Sequence, residues 1–150
     1  MLYLVLIVGL VLVDLALKTL AIAFLQPVGS VPLIEGVLHL TYRENTGAAF
    51  SLLRGHTELI AVVTAVAICV MLYLILFGKD RGKLLCVSLS LICAGGIGNL
   101  YDRLVRGFVV DYVDVRLIHF AVFNFADVLV VCGAILLGVS ALVWERKKHA

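Results

Sequence analysis

"LYLVLIVGLVLVDLALKTLAIAFL", residues 2–25, decides what kind of chain this is. A helix rises 1.5 Å per residue, so about 20 apolar residues cross a bilayer core of ~30 Å. This run is long enough. Sixteen of its residues are Leu, Ile, Val or Phe, each favouring insertion by about 0.3–0.6 kcal/mol, whereas a charge near the centre costs about 2.5–3.5 kcal/mol. Two charges interrupt it, Asp14 and Lys18, one helical turn apart. The helix inserts if the pair is satisfied, by mutual contact at i,i+4 and by polar partners on neighbouring helices. With no positive leader and with charges in what would be its apolar core, the run reads as a retained helix and not as a cleaved signal peptide.

Three further runs have the same character, and the expected spans are about 2–25, 59–78, 84–101 and 120–144. The chain has 150 residues, 63% of them hydrophobic and 15% charged, with mean hydropathy +1.16; a soluble domain carries about 25% charged residues. One polytopic domain, 1–150, is expected: an all-α membrane protein of four transmembrane helices. The net charge of +2 comes with no basic patch interleaved with aromatics, which excludes nucleic-acid binding. Cys69, Cys86, Cys93 and Cys132 all lie inside apolar runs, without metal-ligand spacing or a neighbouring cation to make a thiolate. They read as core or lipid-facing residues.

Lys and Arg placement orients the bundle. "KDRGK" (79–83) and "ERKKHA" (145–150) each carry three basic residues. Both face the cytoplasm if the N-terminus does too, which puts loops 26–58 and 104–119 outside. The first of these is long for a connector and is expected to carry structure. "VLHLTYRE" alternates Leu38, Leu40 and Tyr42 against His39, Thr41 and Arg43, a strand-like period of two, and "ENTG" supplies turn chemistry. "GFVVDYV" and "HFAVF" are further β-prone stretches. A small extracytoplasmic sheet built from the two outer loops is expected.

That topology gathers Asp102, Asp111, Asp114 and Asp127 at one membrane face. In "CAGGIGNLYDR", Gly95, Asn99 and Asp102 fall on one helical stripe with Gly98 beside them, so small residues admit a neighbouring helix and polar ones meet it. "FNFAD" reads as a helix start, with Asn124 as N-cap and Asp127 near the positive end of the dipole. Favourable placement alone explains Asp127 but not Asp111 on the same face. Two carboxylates brought together at the edge of a low-dielectric medium do not both ionise. One then activates water while the other, protonated, hydrogen-bonds a scissile carbonyl. Asp114, three positions from Asp111 in an extended segment, faces the other way. His39, His56 and His119 have no serine in a nucleophile motif, HExxH is absent, and "GGIG" lacks a phosphate loop's ending.

In this order, Asp14–Lys18, "NTGAAF", "GGIGNLYDR", "GFVVDYVDV" and "FNFAD" closely resemble the lipoprotein signal peptidases, the type II signal peptidases of bacterial membranes. The resemblance covers nearly the whole chain. It implies a four-helix aspartyl peptidase of the cytoplasmic membrane, multi-pass, with its site at the outer face. Such an enzyme removes the signal peptide of diacylglyceryl-modified prolipoproteins, cutting before the lipidated cysteine. By motif position, Asp111 and Asp127 would be catalytic; Asn45, Gly47, Asn99, Arg103 and Asn124 would shape the site or contact substrate; Asp14, Lys18 and Asp102 would be polar supports. No metal and no cofactor is implied; the expected partners are substrate and membrane lipids, and the expected state is a monomer. Leu15 and Val128 depart from the family, which often has Gln and Ser there. The competing classes are a small ion-coupled transporter, since intramembrane charge also marks ion paths, and a non-catalytic assembly factor. Against the transporter, the carboxylates form no relay across the bilayer.

Overall fold

The computed structural model describes residues 1–47, 56–78, 82–118 and 120–148. The end of "NTGAAF", most of the basic loop 79–81, His119 and the last two residues lie outside the described residues. Four helices, α1 (Leu2–Leu25), α2 (Thr57–Phe77), α3 (Lys83–Arg106) and α4 (Phe125–Lys148), are joined on one side by a three-stranded antiparallel sheet, β1 (Ser30–Ile34), β2 (Leu38–Asn45) and β3 (Val109–Val115), in the order β1-β2-β3. All four helices are long and apolar enough to cross a membrane.

α3 is the centre of the bundle and packs on each of the other three. Half of its apolar window is buried (50%), against 22%, 17% and 17% for α1, α2 and α4. Its composition explains this. Lipid tails are as apolar as leucine, so helices associate through close packing and polar contacts, and α3 supplies the buried Cys86, Ser88, Ser90, Cys93, Ala94, Gly95 and Gly98. The large apolar side chains of the other helices, such as Leu12, Phe24, Val62, Val66, Ile135 and Leu142, remain exposed on the outside of the bundle.

Helix α3 runs to Arg106, beyond the expected end at 101, and so carries Asp102 and Arg103 within its last turns. It stops at Gly107, whose φ of 81° is the left-handed cap that a side chain resists. The chain then enters β3 at once, which places Asp111 beside the helix ends. α4 begins at Phe125, later than the expected 120, because Phe123 is held in an isolated bridge to Val113. Among its described residues, "HFAVF" therefore contributes one bridge and no strand. β1 was not expected, since Pro32 argues against a strand; it sits at the sheet edge, where a missing N–H costs nothing.

β2 and β3 pair with a register shift. Leu40 faces Val113 but Arg43 faces Asp111, so β2 has one extra residue, a bulge. Side chains alternate along a strand. Were the ladder to run on from Leu40 without the bulge, Asn45 would point to the opposite face from Asp111; with the bulge, the two share a face. The same bulge breaks the simple alternation expected of "VLHLTYRE", in which His39 is in fact the buried residue.

Candidate active site

Asp111 and Asp127 meet at the junction of β3, the end of α3 and the start of α4. Asn124 joins them. Its backbone N–H donates to Asp127 Oδ2 (3.1 Å) and its Oδ1 accepts the Asp127 N–H (2.9 Å), a reciprocal capping box at the start of α4. With Oδ1 committed there, its Nδ2 donates to Asp111 Oδ1 (2.7 Å) and to Asn99 Oδ1 (3.2 Å). The cap that starts the helix also ties the two carboxylates together.

Two more amides complete the shell. Asn45 Nδ2 donates to Asp111 Oδ2 (3.0 Å), across the bulged ladder. Asn99 Nδ2 donates to Asp127 Oδ1 (2.8 Å). Each of the four carboxylate oxygens thus receives an N–H, which leaves each a second lone pair for water or a shared proton. Gly47 closes an Asx turn, its N–H on Asn45 Oδ1 (2.9 Å), and its carbonyl accepts from Arg103 Nη2 (2.9 Å). Arg103 Nη1 also donates to the Asn99 carbonyl (3.3 Å), while its buried Nε has no hydrogen-bond partner among the described residues.

Asp111 is 2% exposed. Burial, and next the charge of Asp127, push its carboxyl from 3.8 up to about 7, against the pull of the Asn45 and Asn124 amides and of Lys18. Asp111 therefore carries a proton over most of the acidic range. Tyr112 beside it is also buried, which pushes its phenol up to about 12, and its oxygen accepts the Phe125 N–H (3.2 Å).

Beneath the dyad lies a buried charge cluster. Asp14, Lys18 and Asp102 are each fully buried. Lys18 Nζ lies 2.9 Å from Asp14 Oδ2 and 3.2 Å from Asp102 Oδ2, and donates to Asn99 Oδ1 (2.9 Å). Asp102 also pairs with Arg106. Asp114 stands apart, bonded to Thr41 (2.8 Å) and Arg116 (2.9 Å); burial opposes its ionisation, but these two donors outweigh it and hold its carboxyl below the usual range.

The structure brings all ten anticipated site residues into one connected polar network. Backbone groups were missed: the amides of Ala126 and Val110, which Asp14 and Asp102 hold (3.0 Å each). Sequence has no signal for a main-chain donor 112 residues away.

Residues 6–143 match the family model for signal peptidase II. A lipoprotein signal peptidase of Caldanaerobacter subterraneus is 43% identical over 85% of this chain and 87% of its own length. One of Clostridioides difficile is 40% identical over 99% of this chain and 100% of its own. A bacterial membrane enzyme solved by the in meso method at 2.3 Å superposes with a TM-score of 0.82 at 30% identity, covering 93% of this chain and 87% of that one.

Proposed function

The chain belongs to the lipoprotein signal peptidases, and from that premise we propose that it is an aspartyl endopeptidase whose catalytic pair is Asp111 and Asp127. As a member it is a bacterial multi-pass membrane peptidase that removes signal peptides from prolipoproteins. The finer reading is that it cuts diacylglyceryl-modified substrates before the lipidated cysteine, as a single-domain monomer.

One observation carries the mechanism: Asn124 holds both carboxylates, and burial beside Asp127 keeps a proton on Asp111 up to about pH 7. Asp127 takes a proton from water as the oxygen attacks the scissile carbonyl, and Asp111 gives its proton to the carbonyl oxygen. Asp111 then recovers a proton from the tetrahedral diol while Asp127 delivers one to the departing nitrogen. The C–N bond breaks, and both groups return to their starting states. Asn45, Asn99 and Asn124 hold the pair through both halves. Arg103 Nε is a buried donor available to a peptide carbonyl.

Basic residues in 79–83 and 145–150 support cytoplasmic termini and a dyad at the outer face. A substrate anchored by its own apolar helix presents its cleavage site there. A cleft lined by His56, Thr57, Glu58, Leu59, Arg103 and Leu104, between α2 and α3, supports sideways entry of the substrate from the bilayer.

The test is purified protein with a diacylated prolipoprotein, followed by the mass of the released peptide. Asp111→Asn and Asp127→Asn each abolish cleavage while binding persists, Asp114→Asn retains substantial activity, and chelators have no effect. Near wild-type cleavage by both Asn variants of the pair would remove the aspartyl mechanism. Loss with a chelator, restored by metal, would replace it with a carboxylate-bound metal site.

A further inference from the structure

The deepest charges in the bundle touch no reacting atom, yet their contacts all lead to the dyad. Asp14 spends its second oxygen on the Ala126 N–H, and Asp102 accepts the Val110 N–H, each at 3.0 Å. Ala126 immediately precedes Asp127, and Val110 immediately precedes Asp111. Both of these carboxylates face the one ammonium of Lys18, at 2.9 and 3.2 Å. A single cation thus spans the supports of both catalytic candidates.

Its third contact fixes an orientation. An ammonium only donates and a carboxylate only accepts. Asn99 lies between Lys18 and Asp127, so its oxygen must turn to Lys18 (2.9 Å) and its nitrogen to Asp127 (2.8 Å). Without the ammonium, Asn99 Oδ1 keeps only the longer bond from Asn124 Nδ2 (3.2 Å), and the flipped amide, which would aim a carbonyl at the Asp127 carboxylate, is opposed by less.

We propose that Lys18 is a positioning residue for peptide cleavage: it joins the Asp14–Ala126 and Asp102–Val110 supports, so setting the separation of the dyad, and it locks the Asn99 amide with its N–H toward Asp127. A plain anchor for a charged helix would need only the Asp14–Lys18 pair. The inference rests on the dyad reading above.

Lys18→Met leaves Asp14 uncompensated and Asp102 with Arg106 alone, and is expected to fold poorly. Lys18→Met with Asp14→Asn is the decisive variant. It removes one charge of each sign, and the new amide oxygen still accepts the Ala126 N–H. Expected is a folded, monodisperse protein with KM nearly unchanged and kcat reduced roughly 10- to 100-fold. A folded double variant with wild-type kcat overturns the proposal. So does failure of the double variant to fold, which would make the ammonium purely structural. Asp127→Asn runs alongside: if it still cleaves, the dyad reading has failed; if it is dead while the double variant is fully active, only the role of Lys18 has.

Discussion

Replacing Gly95 by alanine should disable the enzyme from a position that touches no substrate. A Cβ there would collide with the Ala126 carbonyl oxygen, and would stand 2.8 Å from Val130 Cγ2 and 3.2 Å from the Ala126 carbonyl carbon. Carbon atoms rest at about 3.5–4.0 Å. Two of these neighbours are main chain, and a helical valine has essentially one rotamer. α3 and α4 must therefore part by roughly 1 Å, at a cost of about 1–3 kcal/mol of stability. Ala126 carries Asp127 with it, while Asp111 stays on β3. A displacement of ~1 Å at a reacting group is worth on the order of 100-fold in rate, or about 2.7 kcal/mol of barrier. The assay is kcat on a diacylated prolipoprotein, well below the unfolding midpoint, beside thermal unfolding in the same detergent. Two variants calibrate it. Gly133→Ala wedges the same helix pair against Ser88 O (2.8 Å) and Ile92 Cγ1 (2.7 Å), away from Ala126; it should destabilise comparably and lose less than about tenfold in rate. Gly96→Ala meets only side-chain atoms of Ile68 (3.3 Å) and Thr64 and should be nearly neutral in both. If Gly95→Ala is destabilised yet cleaves within about threefold of wild type, helix spacing does not control the dyad.

Proton linkage gives a second expectation. The Asp111 carboxyl is raised from 3.8 to about 7 on folding, so between those values the folded chain holds a proton that the unfolded chain has released. Its contribution to stability is full below about pH 4, falls as pH rises, and is gone above about 7; kcat/KM should lose its acid form over the same upper limb. Thermal midpoints at pH 5 and pH 8 should differ less in Asp111→Asn than in wild type, and an equal difference refutes the assignment. For topology, cysteine at exposed Glu35 should react with an impermeant thiol reagent in intact cells while cysteine at Gly82 does not, in a background with exposed Cys69 and Cys132 replaced. The reverse pattern would put the dyad in the cytoplasm.

The bundle was legible because its signal is long. Runs of apolar residues longer than a bilayer is thick have few alternatives, and Asn124 with Asp127 announced a helix start in five letters. Spacing also predicted that Asp114 turns away from Asp111. Edges and ties were not legible. β1 hides behind Pro32, which only an edge position tolerates. Gly95 reads as a generic small residue until α4 is laid against it. The Asp14 link to Ala126 joins a side chain to a backbone amide 112 residues on, and no local pattern encodes that. The notion of paired charges in α1 was sound, but its purpose emerges only when Asn99 and the two amides are seen to share them.

The extra residue in β2 also says where this chain can change length. Insertions around Gly36, at the hairpin tip, leave the count from Leu40 to Asn45 untouched and should be absorbed. Losing one residue between Leu40 and Arg43 would restore a regular ladder with Arg43 still opposite Asp111 and Asn45 still opposite Val109, so the sheet would gain and Asn45 would keep its hold on Asp111. Losing Glu44 instead would bring Asn45 opposite Val110, on the face away from Asp111, and break that hydrogen bond. Two deletions a few positions apart should therefore part ways, the first giving a sturdier protein that still cuts and the second one that does not.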